Sequence, residues 1–146
     1  MAFKFNIGTK SGKTFKLEAE APALIDKAIK TLIKGEDVSP EFSGYEFEIA
    51  GASDNSGFTS MENVEGVGLK KVMLTYGKGM HKRARREGKK KVSNFTPKGL
   101  RLRKTVRGKL ISNAVVQINL KILKEGNKKL EEIFPEQIKA PAEQTA

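Results

Sequence analysis

Four separated stretches of this chain alternate apolar and polar residues with a period of two, a pattern that a strand accommodates and a helix does not. Phe3, Phe5 and Ile7 alternate with Lys4 and Asn6, and Phe15, Leu17 and Ala19 with Lys16 and Glu18. Tyr45, Phe47 and Ile49 alternate with Glu46 and Glu48, and Val116, Ile118, Leu120 and Ile122 with Gln117, Asn119 and Lys121. Each stretch has one apolar face and one wet face, as in a curved antiparallel sheet and unlike a parallel sheet covered on both sides. Val72 to Leu74 is a short fifth candidate. Leu24, Ile25, Ala28, Ile29, Leu32 and Ile33 recur at helical spacing between Pro22 and Gly35, and Leu130, Ile133 and Phe134 suggest a second helix capped by Asn127. The expected fold is mainly β, a small antiparallel barrel with one or two short helices and a long basic loop.

At 146 residues, 38% apolar and 31% charged, the chain suits one globular unit bearing a polar extension. The expected organisation is a barrel over residues 1–126 that includes a basic extension at 76–105, a helix at 127–138 and a disordered tail at 139–146. No run of about eighteen apolar residues occurs, and the start lacks the apolar stretch of a signal peptide, so a cytoplasmic location is expected. Zero cysteines exclude disulfides, zinc ribbons and thiol catalysis.

Charge is concentrated. Between Lys70 and Lys109 there are sixteen Lys or Arg and one acid, Glu87, for a formal charge of +15, while the rest of the chain sums to −4. Such a segment repels itself unless polyanions neutralise it, and nucleic-acid phosphates do so with release of condensed counterions. Its first half, Gly77 to Lys91, is almost free of apolar residues and should stay unfolded until phosphates order it. Its second half alternates: Leu100, Leu102, Val106 and Leu110 fall on even positions, Arg101, Arg103, Arg107 and Lys109 on odd ones, and only Lys104 breaks the rule. A strand here would set a row of cations opposite an apolar face. The candidate RNA contacts are Lys70, Lys71, Lys78, His81, Lys82, Arg83, Arg85, Arg86, Lys89, Lys90, Lys91, Lys98, Arg101, Arg103, Lys104, Arg107 and Lys109. Arginine suits this work because its planar fork takes phosphate oxygens two at a time and stacks on bases.

Enzyme chemistry finds little purchase. The single His81 sits among cations with no local carboxylate to orient it, and the acids are scattered over strand faces. Gly8 to Thr14 resembles a phosphate-binding loop but has three residues between its glycines where four are needed, and a strand follows where a helix is needed, so it reads as a hairpin turn. Gly51 to Phe58 offers two readings that can coexist: glycines that let backbone approach a phosphate, and a tight turn closed by the Asp54 side chain.

Arg103-Lys-Thr-Val-Arg107-Gly108, Ile111, and Gln117 to Ile122, with the Gly51-Ala-Ser-Asp54-Asn-Ser-Gly57-Phe58 turn after Gly44-Tyr45, resemble the archaeal and eukaryotic-type ribosomal protein S-six-e family of the small subunit. The similarity spans roughly Phe3 to Gly126. Ala52 stands where the family usually has a second glycine, Thr59-Ser60 replace its usual Pro-Met, and an insert near 92–100 separates Arg83-Ala-Arg-Arg-Glu-Gly88 from the Arg103 motif. Eukaryotic members run on into a long basic helix with regulatory phosphorylated serines; here the end is short and not basic, which implies an archaeal-type member without that switch.

The resemblance implies a structural constituent of the small ribosomal subunit that binds and stabilises folded small-subunit ribosomal RNA through its Lys/Arg-rich extension. It implies no catalysis, cofactor, metal, membrane or small-molecule substrate, and neighbouring ribosomal proteins as further partners. A free nucleic-acid chaperone or DNA-compacting protein is the alternative with the same electrostatics.

Overall fold

The computed structural model describes residues 2–81 and 98–138. Among the described residues there are seven strands: β1 (Ala2–Gly8), β2 (Thr14–Glu20), β3 (Leu32–Lys34), β4 (Glu46–Asp54), β5 (Leu69–Thr75), β6 (Arg101–Arg107) and β7 (Val115–Lys124). The single-turn helices α1 (Leu130–Ile133) and α2 (Pro135–Ile138) follow them. The mainly β expectation holds. The barrel does not: the strands form an open five-stranded sheet, β2-β1-β7-β4-β3, and a separate two-stranded sheet, β5-β6. Nor is the larger sheet wholly antiparallel, since β1 lies parallel to β7, Phe5 opposite Ile118.

The alternating residues go where their period sends them. Phe3, Phe5, Ile7, Phe15, Phe47, Ile49, Ile118, Leu120 and Ile122 are buried on one face of the large sheet, in a core shared with Leu24, Val38, Phe42, Tyr45, Ile111, Leu130 and Phe134. On the other face the Asn6 amide donates to Asn119 Oδ1 at 3.2 Å, and so does Gln117 at 3.0 Å, tying β1 to β7. The parity of β7 slips near its start, where a register shift opposite Ser53 and Asp54 buries Val115 in place of Val116. Gly8 to Thr14 is a hairpin turn, closed by the Thr9 N–H donating to the Lys13 carbonyl at 2.9 Å.

The helix expected over Leu24 to Ile33 is absent. Its backbone instead bonds to the connection between β6 and β7 and to β4: Asp26 N–H to the Ile111 carbonyl at 2.9 Å, Ile29 N–H to that of Lys109 at 3.0 Å, and Lys30 N–H to that of Ile49 at 2.8 Å. Asp26 and Lys30 adopt φ of 66° and 70°, which no right-handed helix contains. Leu24, Ile29 and Ile33 are still buried, but Leu32 faces solvent on the short edge strand β3.

The opposite edge is protected. The Gln137 side chain accepts from Lys16 N–H at 2.8 Å and donates to the Lys16 carbonyl at 2.7 Å, pairing part of the open rim of β2. Phe134 stacks on Phe15 with ring centres 5.4 Å apart. Lys129, not Asn127, precedes the first helical residue, and makes no side-chain capping bond. The basic run 82–91, the insert near 92–100 up to residue 97, and the tail 139–146 lie outside the described residues.

Candidate nucleic-acid interface

At the end of β4 the chain turns back through Asn55, Ser56 and Gly57. Gly57 takes φ of 84°, a conformation glycine adopts at no steric cost, and donates its N–H to the Asp54 carbonyl at 3.1 Å. The Asp54 side chain closes the turn by accepting the Phe58 N–H on Oδ1 at 2.9 Å. Its other oxygen accepts from Arg107 Nη2 at 2.9 Å and Nε at 3.1 Å, while Arg107 Nη1 donates to the Val67 carbonyl at 3.0 Å. Burial pushes the Asp54 carboxyl upward, but hydrogen bonds from Arg107 and Phe58 and the Arg107 charge outweigh it, holding the group below its usual range. The side chains of Arg107 and Asp54 are 13% and 4% exposed, so this is a shielded ion pair with its donors largely committed.

Arg107 therefore departs from the row of free cations that its odd position predicts. The Lys109 ammonium is likewise drawn to Glu65, at 2.5 Å. Upstream the alternation is kept. Leu69, Lys71, Met73 and Thr75 of β5 stand opposite Arg107, Thr105, Arg103 and Arg101 of β6. Lys71, Arg101 and Arg103 are exposed on that face beside Leu69 and Met73, whereas Val106 on the other face is fully buried. Lys70 and Lys104 sit on the same side as Val106, Val72, Leu74 and Leu102. Lys78 extends its ammonium over Gly51 of β4, His81 packs edge-on to Tyr76 with ring centres 5.9 Å apart, and Lys98 is exposed just before β6.

Among the described residues, Lys70, Lys71, Lys78, Lys98, Arg101, Arg103 and Lys104 have no carboxylate partner. Lys4, Lys13, Lys27, Lys30 and Lys124 on the body each have one. Lys10, Lys16, Lys34, Lys121, Lys128 and Lys129 on the body also lack one, so what distinguishes the hairpin is density: β5 and β6 carry Lys70, Lys71, Arg101, Arg103, Lys104 and Arg107 and no acid. The remaining candidates, Lys82, Arg83, Arg85, Arg86, Lys89, Lys90 and Lys91, lie outside the described residues.

A hollow of about 410 Å³ opens between the turn and β6, lined by Gly57, Phe58, Thr59, Lys71, Gly79, Arg103, Lys104 and Thr105. Charge counting could not find Phe58, Thr59 and Thr105, which carry no charge. Lys104, a candidate contact that breaks the alternation, lines the hollow together with Arg103.

The two stretches that meet here, Asp54 to Thr59 and Arg103 to Gly108, are among those that carry the sequence resemblance, and comparison with known proteins bears on both. The model of the family described as Ribosomal protein S6e matches residues 3–135. A protein of Methanococcus maripaludis (strain C6) named small ribosomal subunit protein eS6 is 39% identical over 127 residues, covering 86% of this chain and 90% of the relative. Proteins of the same name from Methanosphaera stadtmanae and Archaeoglobus fulgidus are 36% and 35% identical, covering 84% and 86% of this chain and 85% and 88% of those relatives. A match that runs from β1 to the start of α2, and so takes in the Asp54 turn, its Arg107 partner and the core that supports both, means that this chain belongs to the ribosomal protein S6e family.

Proposed function

We propose that the protein is a structural constituent of the small ribosomal subunit, held there in the cytoplasm through phosphate contacts from its Lys/Arg-rich segment to folded small-subunit ribosomal RNA, with neighbouring ribosomal proteins as further partners. The observation that carries this reading is the density of cations on the β5-β6 hairpin, where Lys70, Lys71, Arg101, Arg103 and Lys104 stand on two paired strands that contain no acid. Unpaired exposed cations keep their counterion-release free energy for an incoming polyanion; paired ones have already given up part of it. The hairpin is braced by the Asp54–Arg107 pair, so its cations reach RNA from a fixed base, and the work is positional, with no catalytic step.

Two measurements test it. A tagged copy should sediment stoichiometrically with the small subunit; a free or nucleoid-bound pool would favour a nucleic-acid chaperone or DNA-compacting protein. In RNA titrations, changing Lys71, Arg101, Arg103 and Lys104 together to Gln should make the slope of log affinity against log salt shallower by about 3 to 4 units, at roughly 0.7 to 0.9 for each phosphate no longer neutralised. These positions are exposed or only partly buried, so the variant should melt close to wild type. An unchanged slope would mean the hairpin charge is solvated surface.

A further inference from the structure

The hydrogen bonds at the base of the hairpin fix which way each residue of β6 aims its backbone. Gly108 N–H donates to the Gly68 carbonyl at 3.0 Å, so even-numbered pairs exchange bonds between β5 and β6. Arg107 points away from β5: its N–H donates to the Thr59 carbonyl, and its carbonyl accepts from Met61 N–H, both at 3.0 Å. Strand alternation sends the N–H and C=O of Thr105 and Arg103 to the same side as Arg107. There the segment that pairs with Arg107, Thr59 to Met61, gives way to the Phe58 turn, and no backbone partner for Thr105 or Arg103 on this side occurs among the described residues. That side is the hollow.

The hollow therefore combines three features: a strand edge offering donor and acceptor side by side, the aromatic residue Phe58, and the cationic residues Lys71, Arg103 and Lys104. A phosphate alone would use only the cations, and the neighbouring carbonyls would repel it. An unstacked nucleotide uses all three. Its base presents a π-face to an aromatic ring and a donor-acceptor edge to backbone, and its phosphate meets Lys or Arg. At about 410 Å³ the hollow falls in the size range of small-ligand pockets. Phe58 is held for the purpose, since its N–H is bound to Asp54, which Arg107 grips in turn.

We propose that this hollow receives one nucleotide flipped out of the RNA stack, with its base on Phe58, its polar edge on the Arg103–Thr105 backbone and its phosphate on Lys71, Arg103 and Lys104. The proposal rests on the RNA reading above and refines it, because the site would sense a bulged or looped-out base where phosphate contacts alone sense only charge.

The test uses the full chain. By NMR, nucleoside 5′-monophosphates should shift the Phe58 ring protons and the Thr105 amide together, whereas ribose 5-phosphate and inorganic phosphate should leave the Phe58 ring unmoved. With a small-subunit ribosomal RNA transcript, Phe58→Leu should weaken affinity about tenfold at an unchanged salt slope, since stacking is uncharged; Phe58→Tyr, which keeps the π-face, should restore it. Lys104→Gln should instead make the slope shallower by about one unit. Phe58→Leu binding the transcript like wild type, with monophosphates shifting no more than ribose 5-phosphate does, overturns the nucleotide site and leaves the wider reading standing. Failure of the wild-type chain to bind the transcript at all overturns both.

Discussion

Replacing Arg107 by Gln should lower the stability of the fold by about 3 kcal/mol, the range in which removing one partner of a buried ion pair falls. For a chain of this size that is roughly 10 °C in melting temperature. The loss has two parts. Asp54, only 4% exposed, is left as a buried carboxylate without its cation, and the Val67 carbonyl loses its donor. Asp54→Asn should cost less, because a neutral amide needs no counter-charge. Combining Asp54→Asn with Arg107→Gln should cost less than the two single changes added, since each removes the same interaction. The pair also gives the protein an acid limit. Asp54 is held below its ordinary value of 3.8, so the unfolded chain takes up that proton first as pH falls. The contribution of the pair should be intact above about pH 4 and decline below it as Asp54 approaches its lowered folded value. Thermal melts of wild type and Asp54→Asn from pH 7 downward check this: the gap between them should narrow only in the acid range. A gap that stays constant, or an Arg107→Gln variant that melts like wild type, would place Arg107 among the free cations after all.

Gly108→Ala should be as damaging, for a purely steric reason. A Cβ on residue 108 would come within 1.9 Å of the Gly66 carbonyl oxygen and 2.4 Å of its carbon, both backbone atoms that cannot rotate away. Relief requires prying apart the two chain segments just where Gly108 N–H bonds Gly68 and Leu110 N–H bonds Gly66. An expected cost of about 2 to 4 kcal/mol follows from backbone displacement and broken hydrogen bonds. Since Arg107 is the adjacent residue, the displacement should loosen its grip on Asp54 as well. Hydrogen exchange would reveal this as faster exchange at the Phe58 and Gly57 amides, with the β1 amides, in the other sheet, much less affected. Gly57, where an added Cβ would meet only open space, gives the contrast: Gly57→Ala meets only the penalty of its positive φ, about 1 kcal/mol.

Much of the large sheet was legible in the sequence because alternation reports burial on one face directly, and Phe3 to Ile7, Phe15 to Ala19, Tyr45 to Ile49 and the later part of β7 obey it. What alternation does not encode is the identity of a strand's neighbour. The parallel pairing of β1 with β7, and the failure of β2 and β3 to meet and close a barrel, depend on long-range pairing between residues that carry no local signal. Residues 24–33 misled for a related reason. Their apolar spacing fits a helix, but backbone bonds to Ile49, Lys109 and Ile111 outcompete bonds within the segment. At the interface, charge density made the hairpin stand out. Asp54 was recognisable as a turn-former, but its second partner, Arg107, is 53 residues away and read as one more exposed cation. Among the described residues, the cations that break or leave the pattern, Lys104 and Arg107, are the ones whose placement most needed a structure.

The position of β7 orders events during synthesis. The last strand to be made lies at the centre of the sheet, between β1 and β4, and Asn6 must find Asn119 across 113 residues of chain. Until β7 emerges, the β1-β2 hairpin and the β3-β4 pair have no common partner, and Phe5, Ile7, Phe47 and Ile49 remain uncovered. Distant pairings of this kind form slowly, and the waiting halves expose apolar surface and strand edges. Completion of residues 115–124 is therefore the step that commits the nascent chain to its fold, and a ribosomal pause just before it would prolong the interval in which the chain is most prone to aggregate.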